Sequence, residues 1–156
     1  MQIQQRPYLS DPKQFSNVSD FMAEILARRG VQSEKELDLK LKYLLAPTMK
    51  GLQRAIDLVN DAIDQQLKIV IVGDYDADGA TSTALMILAL REMGANVEYL
   101  VPDRFKYGYG LTPKIADLAF ERFQPDLLIT VDNGISSHVG VKQAQSYGMK
   151  VIITDH

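Results

Sequence analysis

The sequence predicts an α/β domain built on a parallel sheet with helices on both faces, preceded by a short all-helical lead-in. Three observations carry this. The runs Lys68 to Gly73, Val97 to Val101, Leu127 to Val131 and Val151 to Thr154 are apolar almost throughout instead of alternating, as strands buried on both faces must be. Helical patterns at about 79–93, 113–123 and 137–147 separate them, and strands alternating with helices read as a parallel sheet. Before residue 67 the apolar spacing is helical only, which divides the chain into a lead-in over 1–66 and an α/β domain over 67–156.

The elements follow in order. Val18, Phe21, Met22, Ile25 and Leu26 lie at helical spacing within 17–29, and Gly30 is a C-terminal stop. Ser33 to Glu36 has the form of a capping box that starts a second helix, which must end before Pro47. A third helix over 51–66 carries Leu52, Ala55, Ile56, Val59 and Ile63 on one face. Beyond the first strand, Thr112 and Pro113 mark a helix start, a capping hydroxyl followed by proline in the first turn. No repeat or low-complexity segment is present.

With 156 residues, 46% of them hydrophobic, the chain can bury one α/β core and a small helical appendage. The net charge of −3 gives no global attraction for nucleic acid, so any such site must be a local patch. The absence of cysteine excludes disulfides and thiolate metal sites and fits a reducing cytoplasm. The polar stretch from Met1 to Ser10 has no apolar segment of a secretory leader, and no run approaches the length of a membrane span. A cytoplasmic protein without membrane partners is expected.

The chemistry gathers at the strand ends, where parallel α/β sheets form their sites. The first strand runs into Asp74, Tyr75, Asp76, Ala77, Asp78 and Gly79. Carboxylates at two-residue spacing fall on one side of an extended segment, where they raise one another's pKa unless a cation joins them. A solvated turn or a helix cap explains one such Asp but not three at the end of a buried strand. The same letters open an EF-hand, but that loop needs a Glu at its twelfth position. Counted from Asp74 that position is Leu85, and a strand precedes the motif. Gly79 permits a tight turn, and the small Ala80, Thr81 and Ser82 leave the next helix start open to a phosphate. The third strand ends in Asp132, Asn133 and Gly134, and the fourth in Asp155 and His156. Carboxylates with one imidazole suit Mn²⁺ or Mg²⁺. Two such ions about 3.5–4 Å apart clamp a phosphoryl group and activate water at neutral pH. After the second strand, Arg104, Lys106, Tyr107 and Tyr109 interleave cations with aromatics, a pattern suited to stacking on bases and pairing with phosphate. Phe105 and one of the tyrosines have an equally good reading as plugs of the core.

D-Y-D-A-D-G, V-D-N-G and D-H, in this order, resemble the first three motifs of the DHH phosphoesterases, the third of which is named for Asp-His-His. The segment P-D-R-F-K-Y-G-Y-G-L and the helical lead-in resemble the members of that family that degrade single-stranded DNA. The resemblance covers nearly all of 50–156. It implies that Asp74, Asp76, Asp78, Asp132, Asp155 and His156 are catalytic. Asp76 and Asp78 would be metal ligands, Asp74 a ligand or its close partner, Asp132 the acid shared by two ions, and His156 a ligand oriented by Asp155. Arg104, Tyr107 and Tyr109 would meet the substrate. It implies further that Mn²⁺ or Mg²⁺ is the cofactor and that the activity is hydrolysis of single-stranded DNA from its 5′ end in DNA repair and recombination. A single-strand-binding protein and a helicase would be the partners. The family's second His, its fourth motif and its C-terminal catalytic domain are not among these 156 residues. The chain is thus expected to be an N-terminal fragment with an incomplete two-metal site, inactive alone.

Other readings make different demands. A DHH phosphodiesterase of short oligonucleotides or cyclic dinucleotides, or a manganese pyrophosphatase, would share these motifs. A non-catalytic DHH-like module binding DNA or replication proteins should have lost acids from the set, and every acid that these residues can test is present. A phosphorelay receiver leaves the third Asp of the first motif and the Asp155–His156 pair without a role.

Overall fold

Strand β1 (Lys68–Gly73) is flanked by β2 (Asn96–Leu100) and β3 (Leu127–Val131), and β4 (Lys150–Thr154) pairs with β3, all in parallel, so the sheet order is β2-β1-β3-β4. The computed structural model describes residues 5–40, 42 and 46–156. Ile69 stands beside both Val97 and Leu127, and Gly73 beside Val131, which brings the ends of β1 and β3 level. The side chains of β1 and β3 alternate between two cores. Ile69, Ile71, Leu127, Ile129 and Val131 face Ala62 of α2 (Leu52–Asp64) and Ile87 and Leu90 of α3 (Ala77–Glu92). Val70, Val72 and Leu128 face Ile115, Ala116 and Ala119 of α5 (Pro113–Phe123) and Ala144 of α6 (His138–Ser146). Helices cover both faces, as the unalternating strands require. The edge strand β2 departs from that pattern: Val97 and Leu100 are buried, whereas Tyr99 is exposed.

The chain divides into two units, Met1–Thr48 and Met49–His156, and not at residue 67. The expected boundary is displaced because α2, read as part of the lead-in, buries Ala62 and packs Ala55, Leu58, Val59 and Ile63 against the sheet. Ile56, expected on that face, is exposed instead.

In the first unit α1 (Asp20–Arg29) is capped by Ser19 and ends at Gly30 in the left-handed region. Its buried residues are Ala23 and Ala27, which pack with Phe15, while Phe21 and Met22 are exposed. The small alanines let the chain pass close by, and the Leu9 N–H donates to the Ala27 carbonyl. The predicted capping box at Ser33 does not form: Glu34–Leu37 is a single 3-10 turn without a side-chain cap, and Glu36 accepts from the Gln32 amide. Glu34 turns away to collect the amide of Asn17 at 3.0 Å together with donors of Ser16, and these bonds hold its carboxyl below the usual range. Of the helix predicted toward Pro47, residues 41 and 43–45 lie outside the described residues. Among the described residues no helix is long and apolar enough to cross a membrane.

In the second unit the predicted start at Thr112 is present, with its hydroxyl accepting from the Ile115 amide at 3.3 Å and Pro113 in the first turn. The segment before it contains a single helical turn, α4 (Arg104–Tyr107), capped by Asp103, and then docks on α6 through a bond from the Leu111 N–H to Ser137 Oγ at 3.0 Å. Gly140 is where α6 meets this segment, and a Cβ there would overlap the Leu111 carbonyl oxygen, which is backbone and cannot swing aside. Gly140→Ala is therefore expected to destabilise the domain by about 1–3 kcal/mol, as overpacking does. Thermal denaturation should register this as a fall of roughly 3–10 °C.

Candidate metal centre

Carboxylates converge where the sheet changes direction. From β1 the chain moves outward to β2, then crosses back to β3 and β4, which leaves a crevice between the carboxyl ends of β1 and β3. Asp74 and Asp76 follow β1, Asp132 follows β3, and Asp155 and His156 follow β4.

The first motif is not an extended row of ligands. Asp76 caps α3, its Oδ1 accepting from the Gly79 amide at 3.1 Å, so the helix begins two residues earlier than the pattern predicts. Asp78 consequently lies in the first helical turn, where the helix dipole favours an acid. A Cβ on Gly79 would collide with the Asp74 backbone, which shows how tightly the turn closes. The Gly79 amide, a prospective phosphate donor, is occupied by Asp76.

Asp74 is buried, with 8% of its side chain exposed, and is ion-paired to the Arg104 guanidinium. Its other oxygen accepts from the Tyr75 amide at 2.8 Å. Arg104 also lies 3.8 Å from Asp76 and stacks between Tyr75 at 4.2 Å and Tyr109 at 5.1 Å. Planar stacking combined with ion pairing is a task for arginine and not for lysine. Partial desolvation of Tyr109, which remains 58% exposed, and the charges of Asp155, Asp74 and Asp132 push its phenol pKa up, so it stays protonated over the crevice.

Asp132 is the most constrained acid. Its φ of 61° places it in the left-handed region, at a cost of about 1–2 kcal/mol for a residue with a side chain. Its Oδ1 is 3.5 Å from His156 Nε2. Burial, then the charges of Asp76, Asp78 and Asp155, raise its pKa against the opposing pull of His156. Asp155 ties the second and third motifs together by accepting from the Ile135 amide at 2.8 Å and the His156 amide at 2.9 Å. It grips the backbone beside the imidazole, in contrast to the expected bond with the ring. Ligand atoms of Asp132, Asp155 and His156 lie within 4.8 Å of one another.

The structure thus brings Asp132, Asp155 and His156 into one potential ligand set. Asp76 and Asp78 stand close enough to shift Asp132, and Asp74 is held by Arg104. Of the aromatic candidates, Tyr109 reaches the crevice, whereas Tyr107 packs against the core under Lys106, and Phe105 is 92% exposed. Two contributors escape sequence reasoning. Tyr75 reads as a spacer between acids but stacks on Arg104. Asn133 reads as a turn residue but is buried and bonded to two strands. The only signal for either was its place inside a motif.

Residues 68–156 match the DHH family, N-terminal domain, and the chain belongs to that family. It is 47% identical over 137 residues to the single-stranded-DNA-specific exonuclease RecJ of Escherichia coli, with 86% of this chain and 24% of that protein aligned. It is 52% identical over 130 residues to the RecJ of Haemophilus influenzae, covering 82% of this chain and 22% of the relative. The crystal structure of an exonuclease RecJ bound to manganese superposes with a TM-score of 0.65 at 38% identity, over 72% of this chain and 29% of that one. RecJ from Thermus thermophilus in complex with Mn²⁺ gives 0.63 at 32% identity, over 89% and 19%. The chain spans about a quarter of the length of the curated relatives it matches.

Two outcomes follow from the electrostatics. A carboxyl raised in the folded state destabilises the fold once ionised, so Asp132 contributes a penalty that sets in as pH rises above 3.8 and persists at neutral pH. Asn tolerates the left-handed region, so Asp132→Asn isolates the charge. In metal-free buffer this variant should melt above the parent chain at pH 7, with the gain vanishing as pH falls through the carboxylate range. Arg104→Ala leaves Asp74 buried and unpaired and should cost about 1–3 kcal/mol in urea denaturation.

Proposed function

We propose that this chain supplies the N-terminal half of the active site of a metal-dependent phosphodiesterase that hydrolyses single-stranded DNA from its 5′ end. The observation that carries the reading is the convergence of Asp132, Asp155 and His156 at the sheet's crevice, beside the acids of the first motif. Support comes from relatives described as single-stranded-DNA-specific exonucleases and from similar structures bound to Mn²⁺ or Mg²⁺.

The residues fit such an ion. Asp132 is a desolvated carboxyl crowded by like charges and next to an imidazole, and hard or borderline divalent cations favour that donor chemistry. Asp132, His156 and Asp155 would hold the ion, with Asp76 and Asp78 at the side of β1 and Asp74 behind them. When bound, a divalent cation neutralises phosphoryl charge and lowers the pKa of water.

The chain's own groups do the rest. Asp74 and the tyrosine pair hold the Arg104 guanidinium at the rim, where it can meet a phosphate oxygen. Tyr109, kept protonated, offers a ring for stacking and a hydroxyl donor. Asp155 keeps the Asp132 and His156 loops together. The reading extends to a cytoplasmic role in DNA repair and recombination, with a single-strand-binding protein and a helicase as partners.

Calorimetric titration with Mn²⁺ should show saturable binding to this chain and its loss in the Asp76→Ala, Asp132→Ala double variant. Hydrolysis of 5′-labelled single-stranded DNA should require a chain extended to the length of the relatives. Robust manganese-dependent turnover by the 156 residues alone would refute the claim that they form half a site. Silence of the extended chain toward Mn²⁺ would remove the phosphoesterase reading altogether. Preference of the extended chain for dinucleotides over polymer would replace DNA with short substrates.

A further inference from the structure

The geometry points to Asn133 as the positioning residue of the metal centre, a clip that joins β1 to β3 and holds the Asp132 carboxylate in place; this rests on the metal reading above. Asn133 is 2% exposed. Its Nδ2 donates to the Val72 carbonyl at 3.0 Å and to the Val131 carbonyl at 2.9 Å, one on each central strand. Both strands end within a residue of these carbonyls, and Gly73 and Val131 form the last pair of the ladder. A single amide group thus pins the two strands together at the mouth of the crevice.

The clip explains the backbone of its neighbour. For the Asn133 side chain to fold back onto β1 and β3, the chain must reverse at Asp132, and there φ is 61°. That reversal leaves the Asp132 carboxylate beside His156. Gly134 completes it at φ 111°, where a Cβ would crowd Thr130 Oγ1 at 3.0 Å and Ile153 at 3.1 Å. Strained conformations of this kind persist only where the surroundings over-determine them.

The amide's acceptor argues the same way. Asn133 Oδ1 is buried and has no hydrogen-bond partner among the described residues. An apolar side chain of similar size would avoid that unpartnered oxygen but would take the donors from the Val72 and Val131 carbonyls, so what the amide contributes is one bond to each strand.

Asn133→Leu keeps the volume and removes the donors. In this chain it should bind Mn²⁺ at least about tenfold more weakly by calorimetry, with far-UV circular dichroism unchanged. Ile115→Val loses one buried methylene in the core formed with Val70, Val72 and Leu128 and should lower thermal stability while keeping the parent's affinity, which separates positioning from general softening. Should Asn133→Leu fail to fold, Asn133→Ser is read by the same criterion. An affinity within twofold of the parent in the folded Asn133 variant overturns the inference and leaves the metal site standing. If Asp132→Ala also keeps the parent's affinity, or the chain extended to the length of the relatives binds no Mn²⁺, the metal reading falls and the inference falls with it.

Discussion

Like charge gathered at one end of a buried sheet dominates this domain. Asp74, Asp76, Asp78, Asp132 and Asp155 all issue from the carboxyl end of one buried sheet, and each must be compensated locally. Asp74 has a guanidinium, Asp76 and Asp78 have the amino end of α3, and Asp155 has two backbone amides. Asp132 has an exposed imidazole at 3.5 Å, too weak a partner to offset its burial and its acidic neighbours, so its pKa is pushed up. The residual repulsion is localised on one carboxylate, where a cation gains most from binding.

That localisation depends on parallel topology. Reversal of the winding direction between β1 and β3 separates their connecting segments and opens the crevice. Burial of both central strands on both faces makes the strand ends rigid supports, so the side chains that follow them inherit fixed positions. The Arg104 segment, by contrast, comes from a loop that reaches the site from an edge strand and is secured by the Leu111 to Ser137 bond and the close approach of Gly140. Rigid acids and a docked cationic arm thus meet at one crevice.

The lead-in unit has a different character. Its core consists of Phe15, Ala23 and Ala27, with large apolar residues such as Phe21 left exposed. Helical spacing identified α1 but not its buried face, because alanine contributes little to an apolar pattern while permitting the closest packing. The capping-box letters at Ser33 failed for a different reason: Glu36, the acid of the box, accepts from the Gln32 amide, and Ser33 makes no side-chain cap.

By itself the sequence determined the strands, their parallel arrangement and the presence of acids at the ends of β1, β3 and β4. Continuous apolar runs and capping residues are local signals that no tertiary contact needs to supply. Tertiary structure alone decided what each acid does. Asp74 is claimed by a guanidinium 30 residues away. Asp76 becomes a cap because α3 starts early, and Asp132 is turned left-handed beside His156. The membership of α2 in the α/β unit and the double bond of Asn133 to β1 and β3 were likewise invisible, since both depend on segments brought together only when the sheet closes. Residue type and spacing specify which groups are available, but pairing among them is a competition settled by distance and burial, and those exist only in the folded chain.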